Sequence, residues 1–305
     1  MFWHLSENDI IQSQQLIIRH MMMHQRRQAW ADNMFINPLT EVLTADIASL
    51  TSSKWNKKSN QNPLLTGAVM SSFLHVKLTI NPLLVKDFEI IDWHFYEELK
   101  RDTLIMPNGV TKEIRKYNYQ KGIEHSEKFG VQEKEYMMKD IIFIIHIMGN
   151  HWIVVILSYR LQKIFILDYM YQLQKEHIDI KKNLILWWYD EYQRKHNKER
   201  IIQNSLFDIK KWTLVAGTET NKKRYNENNT TNNNNNPKMF LPNNSPRQTD
   251  GHSCGVFAVM TAYIWATEKR LLNHNDFTQI DAPMVRLFIA KTLYDHHNPP
   301  LNNIT

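Results

Sequence analysis

The most regular hydrophobic pattern in the chain lies between residues 141 and 167. Ile141–Met148, His151–Ser158 and Lys163–Leu167 are rich in Ile, Val and Phe, and short polar segments separate them. Continuous apolar runs of this length are typical of strands that are buried on both faces of a sheet. The pattern therefore predicts three neighbouring strands. Its polar breaks exclude a membrane span, which needs about 20 apolar residues in succession.

Helical spacing of apolar positions appears near both ends of the chain and in its middle. It predicts helices over residues 5–29, 171–198, 255–267 and 282–294, and Ser6 is expected to cap the first of them. Residues 33–48 contain Asn37 and Pro38, and we predict that this segment is irregular because both residues interrupt regular structure.

Asparagine dominates the chain between residues 218 and 245, with five in succession from Asn232 to Asn236. A tract of this kind cannot bury apolar surface, so we predict that it is disordered. Too little chain follows it to build a second large domain. We therefore interpret residues 218–245 as a loop inserted into one domain that spans residues 1–305.

Composition narrows the classes of function. The 305 residues include 37 basic and 31 acidic ones, for a net charge of +6, and a single cysteine. One cysteine excludes an internal disulfide framework and any multi-thiolate metal site, so we expect a reducing compartment, the nucleus or the cytoplasm, and no cofactor or metal. The basic residues are scattered among acidic ones, so no specific nucleic-acid binding and no membrane attachment are expected. The default oligomeric state is a monomer.

The single cysteine, Cys254, stands where a polar, glycine-containing segment leads into an apolar helix. The unpaired N–H groups and the dipole of a helix N-terminus stabilise an anion, which favours a reactive thiolate. A lone cysteine is also commonly a small buried apolar residue, so its position alone leaves both interpretations open.

Partners for a nucleophilic thiol are present on the predicted strands. His151 begins one strand and Asp168 follows the end of the next, so an antiparallel pairing would bring an acid beside a base. Gln248 and the backbone N–H of Cys254 are placed to stabilise an oxyanion, and Trp152 is placed to line a substrate channel. Taken singly, each residue also has an ordinary structural interpretation. His151 could be a turn histidine, Asp168 a strand-end cap and Gln248 a loop residue. Trp152 could be part of the core.

The combined pattern is more specific than its parts. His151-Trp152, Asp168, Gln248 and the segment Asp250-Gly251-His252-Ser253-Cys254-Gly255 together resemble the ubiquitin-like-protein protease family. These are the SUMO-type cysteine proteases related to the adenoviral proteinase. The resemblance covers nearly the whole chain. It implies an α+β, papain-like cysteine protease fold of the ubiquitin-like-protein protease type, with a central mixed sheet flanked by helices and the nucleophile at a helix N-terminus.

The resemblance also implies a role for each residue. Cys254 would be the nucleophile, His151 the general base and acid, Asp168 the group that orients His151, and Gln248 part of the oxyanion hole. Trp152 would cover the Gly-Gly tail of a ubiquitin-like modifier. Trp3, His4 and Glu7 fall at the opening motif of the family and would contact the substrate. The expected function is a thiol protease or isopeptidase that cleaves after the C-terminal Gly-Gly of a SUMO-like modifier, and the expected partners are this modifier and its conjugates.

Two departures from the family pattern stand out. Ser253 occupies the position just before the cysteine, where the family often has an acidic residue, and His4 stands where the opening motif usually has tryptophan. Other functions stay open: a protease for another Gly-Gly-containing, mobile-element or viral type of substrate, an acetyltransferase of related fold, or a non-enzymatic modifier-binding module. The intact set of four residues argues against the last of these.

Overall fold

Two compact units make up the computed structural model of this chain. The helical unit comprises residues 1–86, 150–152 and 244–305, and the sheet unit comprises residues 87–149 and 153–243. The structure describes residues 5–25, 34–37, 40–42, 50, 64–79, 87–105, 111–115, 117–128, 139–147, 150–170, 175–196, 212–218, 238–241 and 244–297.

A six-stranded mixed sheet is the centre of the sheet unit. Its strands are β3 (Phe88–Ile91), β6 (Asp140–Ile147), β7 (His151–Ser158), β8 (Lys163–Leu167), β9 (Thr213–Thr218) and β10 (Lys238–Leu241), in the spatial order β10-β9-β8-β7-β6-β3. β7 and β8 are antiparallel, whereas β8 with β9, β9 with β10, and β3 with β6 are parallel. The predicted α+β class with a mixed sheet is confirmed.

The three strands predicted from the apolar runs are present as β6, β7 and β8. All eight residues of β7 are buried, as expected for a strand covered on both faces. In the register of β7 with β8, Val154 lies opposite Leu167 and Ser158 lies opposite Lys163. The apolar pattern was therefore sufficient to locate the middle of the sheet.

An aromatic layer packs against the sheet within the same unit. It comes mainly from α5 (Lys175–His196), whose Trp187 ring lies edge-on to Phe95 at 4.8 Å and to Phe143 at 5.7 Å between centroids. The other elements of this unit are α3 (His94–Leu99), the antiparallel strands β4 (Arg101–Ile105) and β5 (Thr111–Arg115), and α4 (Tyr119–Lys128). Aromatic pairs of this geometry add to the free energy gained from burying apolar area.

Four helices form most of the helical unit: α1 (Glu7–Gln25), α2 (Gly67–Thr79), α6 (Cys254–Glu268) and α7 (Ala282–His297). α7 packs against α1, α2 and α6, and α2 also packs against α6. The predicted cap of α1 is present, because the backbone N–H of Asp9 donates to the Ser6 hydroxyl at 3.2 Å. Twelve of the fifteen residues of α6 are buried, which explains its apolar sequence.

Two local predictions need correction. The segment 33–48 is not irregular throughout, because β1 (Met34–Asn37) pairs with β2 (Thr40–Val42) in an antiparallel hairpin. Asn37 is the last residue of the first of these strands, and Pro38 lies outside the described residues. The loop predicted at 218–245 is also too long: Lys238–Leu241 form β10, whose backbone pairs with β9. An apolar run of three residues, Met-Phe-Leu, ends the asparagine-rich tract here. Residues 219–237 lie outside the described residues.

In the described part of the chain, no helix has the length and apolarity that crossing a bilayer requires.

Candidate active site

Cys254 is the first residue of α6 and its side chain is buried. Ser253 is the N-cap residue of this helix, and its carbonyl accepts hydrogen bonds from the N–H groups of Val256 at 2.9 Å and Phe257 at 3.1 Å. The sulfur of Cys254 lies 4.0 Å from the carbonyl oxygen of Asn150. Because Asn150 directly precedes His151, the helical unit brings the thiol to the start of β7.

Trp152 and the residue after the cysteine share one neighbour, Leu65. The indole N–H of Trp152 donates to the Leu65 carbonyl at 2.9 Å, which fixes the orientation of a buried ring. A Cβ atom at Gly255 would lie only 2.8 Å from the Cβ of Leu65. Glycine at position 255 therefore lets the start of α6 approach the chain segment that holds Trp152.

The carboxylate of Asp250 organises the turn that leads into the cysteine. Its Oδ1 accepts the backbone N–H groups of His252 at 3.2 Å and Ser253 at 2.9 Å, and its Oδ2 accepts the Ser253 hydroxyl at 2.7 Å. Burial by itself would raise the pKa of Asp250, but the hydrogen bonds from Ser253 and His252 outweigh it and hold this pKa below its ordinary value. Asp250 therefore carries a negative charge and contacts Ser253. Ser253 is the residue at the position where the family often has an acidic residue.

The amide nitrogen of Gln248 donates to the backbone carbonyl of Asp250 at 2.7 Å and approaches its carboxylate at 3.3 Å. Gln248 is buried, and its Oε1 makes no hydrogen bond within the described part of the chain. The side chain thus belongs to the turn that precedes Cys254. Its part in an oxyanion hole stays a prediction.

The last segment of the helical unit also supports this turn. Gln279 donates from its side-chain nitrogen to Oδ2 of Asp250 at 2.8 Å and accepts the backbone N–H of Thr249 at 3.1 Å. Arg286, on α7, donates from Nη2 to the carbonyl of His252 at 3.0 Å. Two side chains far along the sequence therefore hold the turn before the cysteine.

Asp168 belongs to the sheet unit, where it follows the last residue of β8 and is buried. Its Oδ1 accepts the backbone N–H of Met170 at 3.0 Å. Nε2 of His177, a fully buried residue in the first turn of α5, lies 3.3 Å from its Oδ2. The two side chains form an ion pair when His177 is protonated.

Most of the predicted site residues lie in one unit. The helical unit contains Cys254, Gln248, His151 and Trp152, whereas Asp168 is in the sheet unit. Glu7 is the first, exposed residue of α1, and Trp3 and His4 lie outside the described residues.

The sequence did not predict roles for Asp250, Gln279, Arg286 or His177. Asp250 alone belonged to the motif segment, and its polar position just before the helix was the available signal. The other three are remote from the motif in sequence and carry no local signature.

A metal centre finds no support among the residues that the structure describes, since they contain no cluster of three or more His, Cys, Asp or Glu side chains suited to hold an ion. The described residues offer a buried thiol at a helix start, and its sulfur lies 4.0 Å from the carbonyl of the residue that precedes His151. This arrangement is typical of a cysteine peptidase.

Residues 65–301, more than half of the chain, match the profile of the Ulp1 protease family, C-terminal catalytic domain. The chain therefore belongs to the Ulp1 protease family, and it is a cysteine peptidase. The resemblance drawn from the sequence is confirmed. Among curated proteins, none matches this sequence.

Solved structures share the fold. The SUMO protease Ulp1 with its catalytic cysteine oxidised to a sulfinic acid has 16% sequence identity and a TM-score of 0.58, over 97% of this chain and 98% of that one. The C-terminal Ulp1 protease domain in complex with Smt3, the yeast ortholog of SUMO, has 17% identity and a TM-score of 0.58, over 96% and 97%. The Ulp1-like SUMO protease catalytic domain of Chaetomium thermophilum has 13% identity and a TM-score of 0.55, over 94% and 88%. At these identities the similarity shows the papain-like protease fold of this family.

Proposed function

We propose that this chain is a thiol protease that cleaves after the C-terminal Gly-Gly of a SUMO-like modifier, with Cys254, His151 and Asp168 as its catalytic residues. The observation that carries the proposal is the approach of the Cys254 sulfur to the Asn150 carbonyl at 4.0 Å, at the residue before His151. Membership of the Ulp1 protease family supports the reaction. The modifier is inferred from relatives of the same fold that are SUMO proteases.

In this mechanism the thiolate of Cys254 attacks the carbonyl carbon of the scissile bond. His151 takes the thiol proton and gives it to the leaving amine, and water then hydrolyses the thioester with His151 as the base. Cys254 is the first residue of α6, and the N–H groups of the first helical turn have no acceptor within the helix, so we assign the backbone N–H of Cys254 to the oxyanion. The Gln248 nitrogen carries two hydrogens; one holds the Asp250 carbonyl at 2.7 Å, and the other, on the longer 3.3 Å contact to the Asp250 carboxylate, is the one we assign to the oxyanion.

Asp168 is assigned the role of orienting His151 by its place in the motif, directly after the last residue of β8. In this role a carboxylate accepts the imidazole N–H and stabilises the imidazolium that forms in the reaction.

The preference for glycine is assigned to Trp152. Its ring is held by the hydrogen bond to Leu65, so it forms a rigid wall that leaves room for residues without side chains. The modifier and its conjugates are the proposed partners, in a nuclear or cytoplasmic setting where Cys254 stays reduced, with the chain acting as a monomer.

The test is a panel of modifiers, SUMO and ubiquitin among them, that carry an electrophile at the C-terminus. We expect the wild type to form a covalent adduct with the SUMO probe and the Cys254→Ala variant to form none. Cys254→Ser is the matched control, because it keeps the shape of the side chain and should still bind SUMO without forming the adduct. An adduct with ubiquitin alone would contradict the proposed modifier, and no adduct with any probe would contradict the proposed reaction.

A further inference from the structure

Gln279 joins two points of the turn that precedes the cysteine. Its side-chain oxygen accepts the backbone N–H of Thr249 at 3.1 Å, and its Nε2 donates to Oδ2 of Asp250 at 2.8 Å. The same nitrogen lies 3.2 Å from the Ser253 hydroxyl. One amide side chain, from a segment outside the sequence motif, therefore binds the backbone next to Gln248 and the carboxylate that Gln248 approaches.

The segment that carries Gln279 is itself held in place. Thr278 and Asp281 form a capping box around the 3-10 helix Gln279–Asp281, in which the backbone N–H and the hydroxyl of Thr278 donate to Oδ2 of Asp281 at 2.8 and 2.9 Å. This short helix runs directly into α7, which packs against α1, α2 and α6. Because its base is fixed by these contacts, Gln279 anchors the turn from outside.

The Asp250 carboxylate has enough donors without Gln248. A carboxylate offers about four acceptor positions, two on each oxygen. Oδ1 accepts the N–H groups of His252 and Ser253, whereas Oδ2 accepts the Ser253 hydroxyl and the Gln279 amide, and Nε2 of His252 also lies 3.1 Å from Oδ2. The 3.3 Å contact from Gln248 is the longest of these contacts. The hydrogen that makes it is therefore available to another acceptor at little cost.

Building on the proposed role of Gln248 in the oxyanion hole, we propose that Gln279 is a positioning residue that acts through Gln248. It occupies the Asp250 carboxylate and fixes the Thr249 backbone, and Gln248 thereby keeps one hydrogen for the oxyanion. Without Gln279, an acceptor position on Oδ2 of Asp250 loses its donor and the peptide after Gln248 loses its anchor. The carboxylate then competes for the hydrogen that stabilises the transition state.

A double-mutant cycle tests this route. kcat for cleavage of a SUMO fusion is measured for the wild type, Gln279→Ala, Gln248→Ala and the double variant. Removing an oxyanion donor costs about 10²- to 10³-fold in kcat, which we expect for Gln248→Ala. Gln279→Ala should lower kcat by about tenfold in the wild type, but by less than about twofold when Gln248→Ala is already present, because the group that it positions is then absent. Equal losses in both backgrounds would overturn the proposal.

Alkylation of Cys254 by iodoacetamide separates positioning of the oxyanion donor from displacement of the whole turn. The thiolate attacks a saturated carbon of this reagent, so no oxyanion forms, and Cys254 is the only cysteine of the chain. We expect the alkylation rate of Gln279→Ala to stay within about twofold of the wild-type rate while its kcat falls. An alkylation rate that falls as far as kcat would show that Gln279 supports the turn as a whole, and it would overturn the proposed route.

Ile280→Ala is the matched control. Ile280 is the next residue of the same 3-10 helix and is 85% exposed, so its truncation should leave kcat and the alkylation rate unchanged. If Gln279→Ala does not fold, Gln279→Glu decides, because it keeps the acceptor for the Thr249 N–H but turns an oxygen towards Asp250. Full kcat in this variant would overturn the proposal. A wild type that cleaves no modifier would contradict the proposed function, whereas equal losses in an active enzyme contradict the role of Gln279 alone.

Discussion

Two regions that supply predicted catalytic residues are built by different physical means. The turn from Gln248 to Cys254 is held by a network of polar side chains centred on the Asp250 carboxylate. Asp168 instead follows an almost wholly buried strand of the apolar sheet, and backbone pairing of β8 with its neighbours fixes its position. His177 is the side chain that the structure places against its carboxylate.

The difference shows where each region is vulnerable. In the turn, position depends on individual hydrogen bonds, so a single polar substitution displaces several groups at once. At the end of β8, position depends on the sheet and its aromatic cover, so a change of the carboxylate alters chemistry and leaves the fold intact. The three predictions that follow test this contrast.

The largest effect is expected for Asp168→Asn. The amide keeps the size of the carboxylate but cannot stabilise an imidazolium, so kcat for cleavage of a SUMO fusion should fall by about 10³- to 10⁴-fold. The thermal unfolding midpoint should change little, because the sheet holds the residue. Asp179→Asn, on the exposed side of α5, is the control and should retain full activity. If kcat fell by less than tenfold, the proposed catalytic role of Asp168 would be contradicted.

Gly255→Ala is expected to have the next largest effect. The added methyl would lie 2.8 Å from the Leu65 Cβ, so the start of α6 must shift, at a cost of about 1–3 kcal/mol in the free energy of unfolding. Gly251→Ala is the control, because a methyl added at Gly251 would meet no atom within 4 Å and the backbone there does not require glycine. Its free energy of unfolding should stay within about 0.5 kcal/mol of the wild-type value. Urea unfolding measures both. Equal losses in the two variants would show that close packing is not what position 255 requires.

The smallest expected effect is a loss of folding stability at acid pH. The pKa of Asp250 is lowered in the folded state, so its contribution to stability is present above the pKa of the unfolded chain and is lost as the pH falls through the folded pKa. As the pH falls from 5 to 3, the wild type should therefore lose a part of its free energy of unfolding that Asp250→Asn does not lose. Urea unfolding at pH 5 and pH 3 checks this. If the free energy of unfolding fell equally in both proteins between pH 5 and pH 3, the Asp250 carboxylate would not be the group that stabilises the turn.

The sequence located the candidate nucleophile and the sheet because both have local patterns. Unbroken apolar runs predicted β6, β7 and β8, and the motif around Cys254 predicted the start of α6. Two predictions were wrong where local signals compete with pairing. β1 and β2 pair in a segment where Asn37 and Pro38 suggested irregular structure, and β10 forms at the end of a tract whose composition suggested disorder.

By itself, then, the sequence determined the family, the α+β class, the three central strands and the residues of the motif, because each depends on the order of neighbouring residues. Only the tertiary structure decided what surrounds them: Arg286 at the His252 carbonyl, Gln279 at Asp250, His177 at Asp168 and Leu65 under Trp152. Each of these contacts joins residues that are 9 to 87 positions apart. A polar side chain has no periodicity that reveals its distant partner, and the packing of whole helices brings such groups within hydrogen-bonding distance.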